Sequence, residues 1–309
     1  MHNSGFRLNG GSCPWRKIAA STLAAVLLTG SASAKTSKGV WWWRGEDAEN
    51  PSAAARRFDF LASQGVDEIY FCVDLRGRGD AVRKFVKTAR SKGMRVALLA
   101  GDVSWIYPGN RGFAETLSAY TAYQRAASPD ERLYALHFDV EPHQDKKLDD
   151  SRKWQLYADF VLRAAADVHA SGEKVEWDIP FWLDNIRVAY GERKDAPLLE
   201  VVMDNSDGVT IMSYRDSAKA MLDVSKTELG MAASRKVRVV LSAETGKMDE
   251  SENIVTFFEE GATALDSALG KVAKTLEAAH VPGGAGIAVH HLGSWEKLVS
   301  LSKGKDTKK

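Results

Sequence analysis

Short apolar runs alternate with longer amphipathic segments along this chain, and they do so eight times. The runs are 39–43, 66–74, 95–100, 133–141, 174–179, 208–214, 237–243 and 286–291. The helical candidates between them are 51–64, 79–92, 112–127, 150–171, 196–204, 217–234 and 262–280, with a further short helix expected near Ser294. Strand and helix in steady alternation build a parallel sheet, because parallel neighbours need a crossover between them. Eight units suit closure, so the expected fold is α/β, a single-domain (β/α)8 TIM barrel. An open doubly wound sheet is the competitor. It would place a Gly-rich turn after the first strand, and none follows Trp41-Trp42-Trp43-Arg44-Gly45-Glu46. No Pro/Ser/Gly-rich linker divides the chain, so one barrel domain is expected over 35–301, followed by a disordered basic tail over 302–309.

The beginning of the chain reads as an export signal rather than as part of the fold. Arg16 and Lys17 precede the apolar run Ile18–Leu28, and Ala32-Ser33-Ala34 forms a small-residue cleavage site. That run is shorter than the ~20 residues a bilayer span needs. A signal peptide over 1–34 is expected, with a mature chain beginning near Lys35 that is secreted or periplasmic. Its removal takes Arg7, Arg16 and Lys17 and no acidic residue, leaving 39 basic side chains from 42 against 41 acidic ones. A near-neutral surface gives no electrostatic reason to bind nucleic acid or an anionic membrane. Cys13 leaves with the signal, so Cys72 has no partner for an internal disulfide and reads as an inert thiol in an apolar strand.

In a barrel of this kind, chemistry gathers at the carboxyl ends of the strands. Those ends carry Trp43, Arg44, Asp74, Asp102, Trp105, Asp139, Glu141, Asp178, Trp182, Tyr214, Arg215, Glu244, His290, His291 and Trp295. The densest group is Leu133–His143. Alternate strand residues share a face, so His137, Asp139 and Glu141 should point together, and three ionisable groups on a buried face are costly unless paired or used. Glu176 and Asp178 on the next strand, and Ser242 and Glu244 later, have the same parity relation to their apolar neighbours. Two carboxyl groups flanking a bond are the minimum equipment for glycoside hydrolysis, one protonated and one ionised. Glu141 is the expected acid, with Asp139 raising its pKa by like-charge repulsion. Trp43, Trp105, Trp182 and Trp295 offer flat faces for sugar rings. Of the adjacent histidines, His291 is expected to face the mouth, on the side of Ile287 and Val289. The expected site is therefore Glu141, Asp139, Glu244 and Tyr214 for catalysis, and Trp43, Asp74, Asp178, Trp182, Arg215, His291 and Trp295 for substrate.

Two motifs carry a family resemblance. Phe138-Asp139-Val140-Glu141 resembles the end of the D-x-x-D-x-D-x-E signature of family 18 chitinases, and Ile211-Met212-Ser213-Tyr214-Arg215-Asp216 resembles their M-x-Y-D, with one extra residue. Tyr134 and His137 stand where that family carries earlier acidic residues. The resemblance implies a transglycosidase-superfamily barrel in which Glu141 is the proton donor and Asp139 its partner. It also implies that Tyr214 steadies a substrate N-acetyl group acting as nucleophile. Glu141-Pro142-His143 resembles instead the N-E-P of retaining glycosidases whose nucleophile is a Glu ending strand seven, here Glu244, with Val140 in place of the Asn. Both imply a carbohydrate partner and no cofactor, and the chain is expected to act as a monomer. The rivals are a carbohydrate-binding barrel without catalysis, and a metal-dependent hydrolase using His137, Asp139, Glu141 and a late histidine. The second has no H-x-H on its first strand.

Overall fold

Closure of the sheet rests on its first strand, which hydrogen-bonds to a neighbour on each side. The computed structural model describes residues 35–306, and these form one compact unit. In chain order the elements are β1 (Ser37–Trp42), α1 (Pro51–Ser63), β2 (Glu68–Cys72), α2 (Gly79–Ser91), β3 (Arg95–Ala100), α3 (Gly112–Ala126), β4 (Leu136–Phe138) and α4 (Asp150–Ala170). There follow β5 (Val175–Pro180), the pair β6 (Arg187–Tyr190) and β7 (Arg193–Pro197), α5 (Leu198–Asp204), β8 (Gly208–Met212), α6 (Ala218–Val224) and α7 (Lys226–Arg235). The chain ends with β9 (Arg238–Glu244), α8 (Ala262–Ala279), β10 (Ala285–His290) and α9 (Leu292–Asp306). Eight parallel strands close in the order β1-β10-β9-β8-β5-β4-β3-β2, a single-domain (β/α)8 barrel.

Register fixes which side chains fill the barrel. Trp41, Tyr70, Ala97, Leu99, Ala135, Val240 and Ala288 form one buried apolar cluster inside it. The bulk of Trp41 and Tyr70 is accommodated by small neighbours. A Cβ on Gly39 would sit 3.0 Å from the Tyr70 hydroxyl, tighter than ordinary van der Waals contact. The large aliphatic residues of the same strands, such as Val40, Val96, Val239, Ile287 and Val289, belong to the second cluster, between strands and helices. At the amino-terminal end the interior is ionic. Arg238 pairs with Glu68 and, at 3.3 Å, with Glu176, while Arg95 reaches Glu68 at 3.3 Å. The Tyr134 hydroxyl donates to Glu68 and lies 3.0 Å from Glu176. Buried charges are tolerated only when matched this closely.

Several expectations change. The run expected as a strand over 133–141 is a strand only at Leu136–Phe138. Pro142 has no amide hydrogen to continue a ladder, and it starts a 3-10 turn that ends at Gln144. Glu141 thus stands on the loop, and strand parity does not determine its direction. The helix expected over 196–204 begins at Leu198, because residues before it form an antiparallel hairpin turning at Gly191, whose φ is 60°. The helix expected over 217–234 is two, broken at buried Ser225. The last helix passes Leu301, where a tail was expected, and reaches Asp306. The signal peptide expected over 1–34, and 307–309, lie outside the described residues. Among the described residues no helix is long and apolar enough to cross a membrane.

Candidate active site

His137 occupies the centre of the barrel with none of its surface exposed. Its Nδ1 lies 3.2 Å from Glu176 and its Nε2 2.7 Å from Asp178. The ring stacks on Tyr70 at 4.0 Å between centroids. Burial alone would strip the imidazole of its proton. Asp178 and Glu176 more than offset that, and raise His137 to about 10. For Glu176, burial opposes ionisation, but His137 and Arg238 hold it down at about 2. The other oxygen of Asp178 accepts from the Trp41 indole at 2.9 Å. His137 is thus a buried, paired cation beneath the mouth.

Above it lie the mouth carboxyls. Asp139 is pushed up to about 8 by burial first, then by Asp178 and Glu141. Its Oδ1 is buried and has no hydrogen-bond partner among the described residues. Glu141 is also raised, chiefly by burial and further by Asp178, against the pull of His143, whose Nε2 is 3.5 Å away. Glu244 behaves oppositely. Burial favours its neutral form, yet His290 and two backbone amides outweigh burial and hold it below the usual glutamate value. Its Oε2 is 2.6 Å from His290 Nδ1, and its Oε1 accepts from the amides of Thr245 at 2.7 Å and Gly246 at 2.6 Å. Tyr214 is raised well above the ordinary tyrosine value by burial and by the carboxylates around it, so its hydroxyl stays a donor.

Glu141, Tyr214, Arg215 and Trp182 line one cavity of about 230 Å³, with His143, Pro180, Phe181, Met212 and Val255. Trp182 is fixed edge-on by His143 and Trp154, each at 5.6 Å. Trp43 is 39% exposed and stands edge-on to His290 at 6.1 Å. Other expected residues are elsewhere. Asp74 is clamped by Arg76 at the rim of a separate hollow, with Cys72 and Trp105. Trp105 is buried against Phe113, Phe138 and Phe160. Trp295 is fully buried, not a platform: it falls in the first turn of α9, whose face toward the barrel packs it against Phe60. The histidine facing inward is His290, not His291. Gly286, Ala288 and His290 share the interior side of β10, while Ile287 and Val289 face the helices. The expectation failed because it put the bulky residues of β10 inside, whereas beside Trp41 and Tyr70 this strand contributes Gly286 and Ala288 to the interior. His291 instead accepts from the Gly293 amide at the start of α9. The signal for His290 was present, in the small residues at 286 and 288.

No protein-family model and no curated protein matches the sequence. Solved structures do match in shape. The C-terminal domain of a candidate chitinase from Desulfitobacterium hafniense DCB-2 superposes with a TM-score of 0.50 at 12% identity, over 86% of this chain and 96% of that one. A GH18 chitinase from Pseudoalteromonas aurantia gives 0.50 at 8% identity, over 87% and 99%. The fold is that of a (β/α)8 barrel. A sugar phosphate isomerase/epimerase from Parabacteroides distasonis ATCC 8503 scores 0.46 at 11% identity, over 88% and 97%. At such identities the likeness concerns the barrel alone, and what the mouth does has to be argued from its own groups. Among the described residues, no three or more His, Cys, Asp and Glu side chains are grouped so as to hold a metal ion.

Proposed function

We propose that this protein is an exported glycoside hydrolase that cleaves a glycan, with Glu141 as general acid/base. The observation that carries the reading is the split in protonation at the mouth. Asp139 and Glu141 are pushed toward their neutral forms, while Glu244 is held as an anion by His290. Of these groups, a carboxyl kept neutral on the cavity wall is what protonation of a glycosidic oxygen requires. Glu141 on the cavity wall donates its proton to the leaving oxygen, and burial and the charge of Asp178, rather than Asp139 (itself held neutral), sustain its neutral form. Tyr214 donates its hydroxyl to the sugar, and Trp182 offers an apolar face to the ring. Glu244 is 4% exposed and both its oxygens are engaged, which favours a role in fixing His290 over one in attack. Attack then falls to a group carried by the substrate, such as an acetamido oxygen, or to water.

The mature chain from Lys35 should release reducing ends from at least one member of a panel of neutral and substituted glycans, with product stereochemistry recorded by NMR. Glu244→Ala with added azide should give no glycosyl azide and no recovery of rate. Recovery would move the nucleophile to Glu244. Absence of hydrolysis across the panel, with oligosaccharide binding retained, would replace the enzyme with a carbohydrate-binding barrel.

A further inference from the structure

Arg215 is the charged residue in the Glu141 cavity whose charge nothing in the cavity matches. Among the described residues it makes no ion pair. Its Nη1 donates to the backbone carbonyl of Tyr214 at 2.7 Å, and its guanidinium lies over the Phe181 ring at 4.6 Å. Those two contacts fix the plane of the group and occupy one of its donors. The Nε and Nη2 edge, with two parallel N–H groups, has no protein partner among the described residues.

The acidic groups nearby do not take up this charge. Glu141 shares the cavity wall, but its ion-pair neighbour is His143 at 3.5 Å. Asp178 is engaged by His137 and the Trp41 indole. Glu244 is engaged by His290. Asp216, the next residue along the chain, forms no ion pair with Arg215. A partly buried guanidinium without a counter-ion is a cost in an empty site. A planar carboxylate on the ligand would remove that cost by a bidentate contact.

We propose that the glycan this cavity takes carries a carboxylate on the sugar ring, and that the free edge of Arg215 reads it. This rests on the reading of the mouth as a sugar site, and it narrows the substrate from glycans at large to acidic ones. Phe181, Trp182 and Met212 would cover the apolar side of such a sugar while Arg215 and Tyr214 meet its polar edge.

The test uses pairs of oligosaccharides that differ in one group. N-acetylchitotetraose and cellotetraose are each compared with the counterpart oxidised at C6 to the uronate. Binding is measured by calorimetry on Glu141→Gln, which keeps the cavity but not the acid, and turnover on the unaltered chain. The oxidised member of at least one pair should bind about tenfold tighter than the neutral one. That ratio should shrink toward one in the Glu141→Gln protein that also carries Arg215→Met, and recover in part with Arg215→Lys. Added salt should shrink it as well, because the site opens to solvent. Equal binding of both members in both pairs, or binding of neither, overturns the proposal. So does a preference that survives Arg215→Met. A preference in binding without any turnover would leave the acidic ligand standing and sink the hydrolase reading, so the two can fail separately.

Discussion

Asp139 keeps its proton to about 8 in the folded chain, against an ordinary value near 3.8, because burial, Asp178 and Glu141 all disfavour its anion. Between those two values the folded state binds the extra proton, so stability falls as pH rises through that window. Asp139→Asn should remove this dependence. Its melting temperature should match that of the unaltered chain near pH 4 and exceed it near pH 8. Thermal denaturation at the two pH values checks this, and a constant offset would contradict it. His137 adds a second slope of the same sign. It is raised from 6.5 to about 10, so its contribution is complete below 6.5 and disappears as pH climbs through 10. His137→Gln should lower stability most at pH 6 and least near pH 10, read as the melting temperature of each. At this scale the sequence showed the D-x-E pair, because closeness along the chain is a local property, although both carboxyls stand past the end of β4 and strand alternation does not orient them. It did not show that His137 is a paired cation, since Glu176 and Asp178 lie 39 and 41 residues away and meet it only through barrel register.

Strand ends decide how far those groups reach. β4 stops at Phe138, and Gly101, just past β3, lets the backbone of Asp139 pass close by. A Cβ on Gly101 would lie 1.7 Å from the Asp139 carbonyl oxygen, and backbone cannot yield as a flexible side chain can. Gly101→Ala should therefore shift the Asp139–Glu141 segment. The expected result is a loss of about 1–3 kcal/mol in stability with turnover down by about 10²-fold, measured by denaturant unfolding and initial rates. Full turnover in a folded Gly101→Ala protein would show that the segment tolerates displacement. The elements missed in the sequence have local causes. The β6–β7 hairpin is mostly exposed, and its strands of four and five residues are too short for the alternation at Val188 and Tyr190 to mark a strand. The division of the helix over 217–234 turns on a single buried serine. Parity placed Asp178 correctly on the interior side and failed for β10, whose interior positions next to Trp41 and Tyr70 are the small residues Gly286 and Ala288.

The eightfold alternation was legible because a closed parallel barrel repeats one unit, and each unit writes its own apolar run. Closure itself, β1 against β10, depends on contacts across the length of the chain and could be inferred only from the count of units. Export belongs to this scale too. We propose that the mature protein is found outside the cytoplasm with Lys35 as its first residue, and N-terminal sequencing of the protein from a fractionated cell checks it; retention of Met1 in the cytosolic fraction would contradict it. The central claim, that a carboxylic acid on the β4 loop drives glycan cleavage, is tested most directly by comparing the unaltered chain with Glu141→Gln. The substrate is the oligosaccharide the unaltered chain cleaves fastest, and melting temperatures are recorded alongside the initial rates. The account predicts a loss of about 10²–10⁴-fold in kcat with the fold intact; a Glu141→Gln protein that still turns over within a few-fold of the unaltered chain would contradict it.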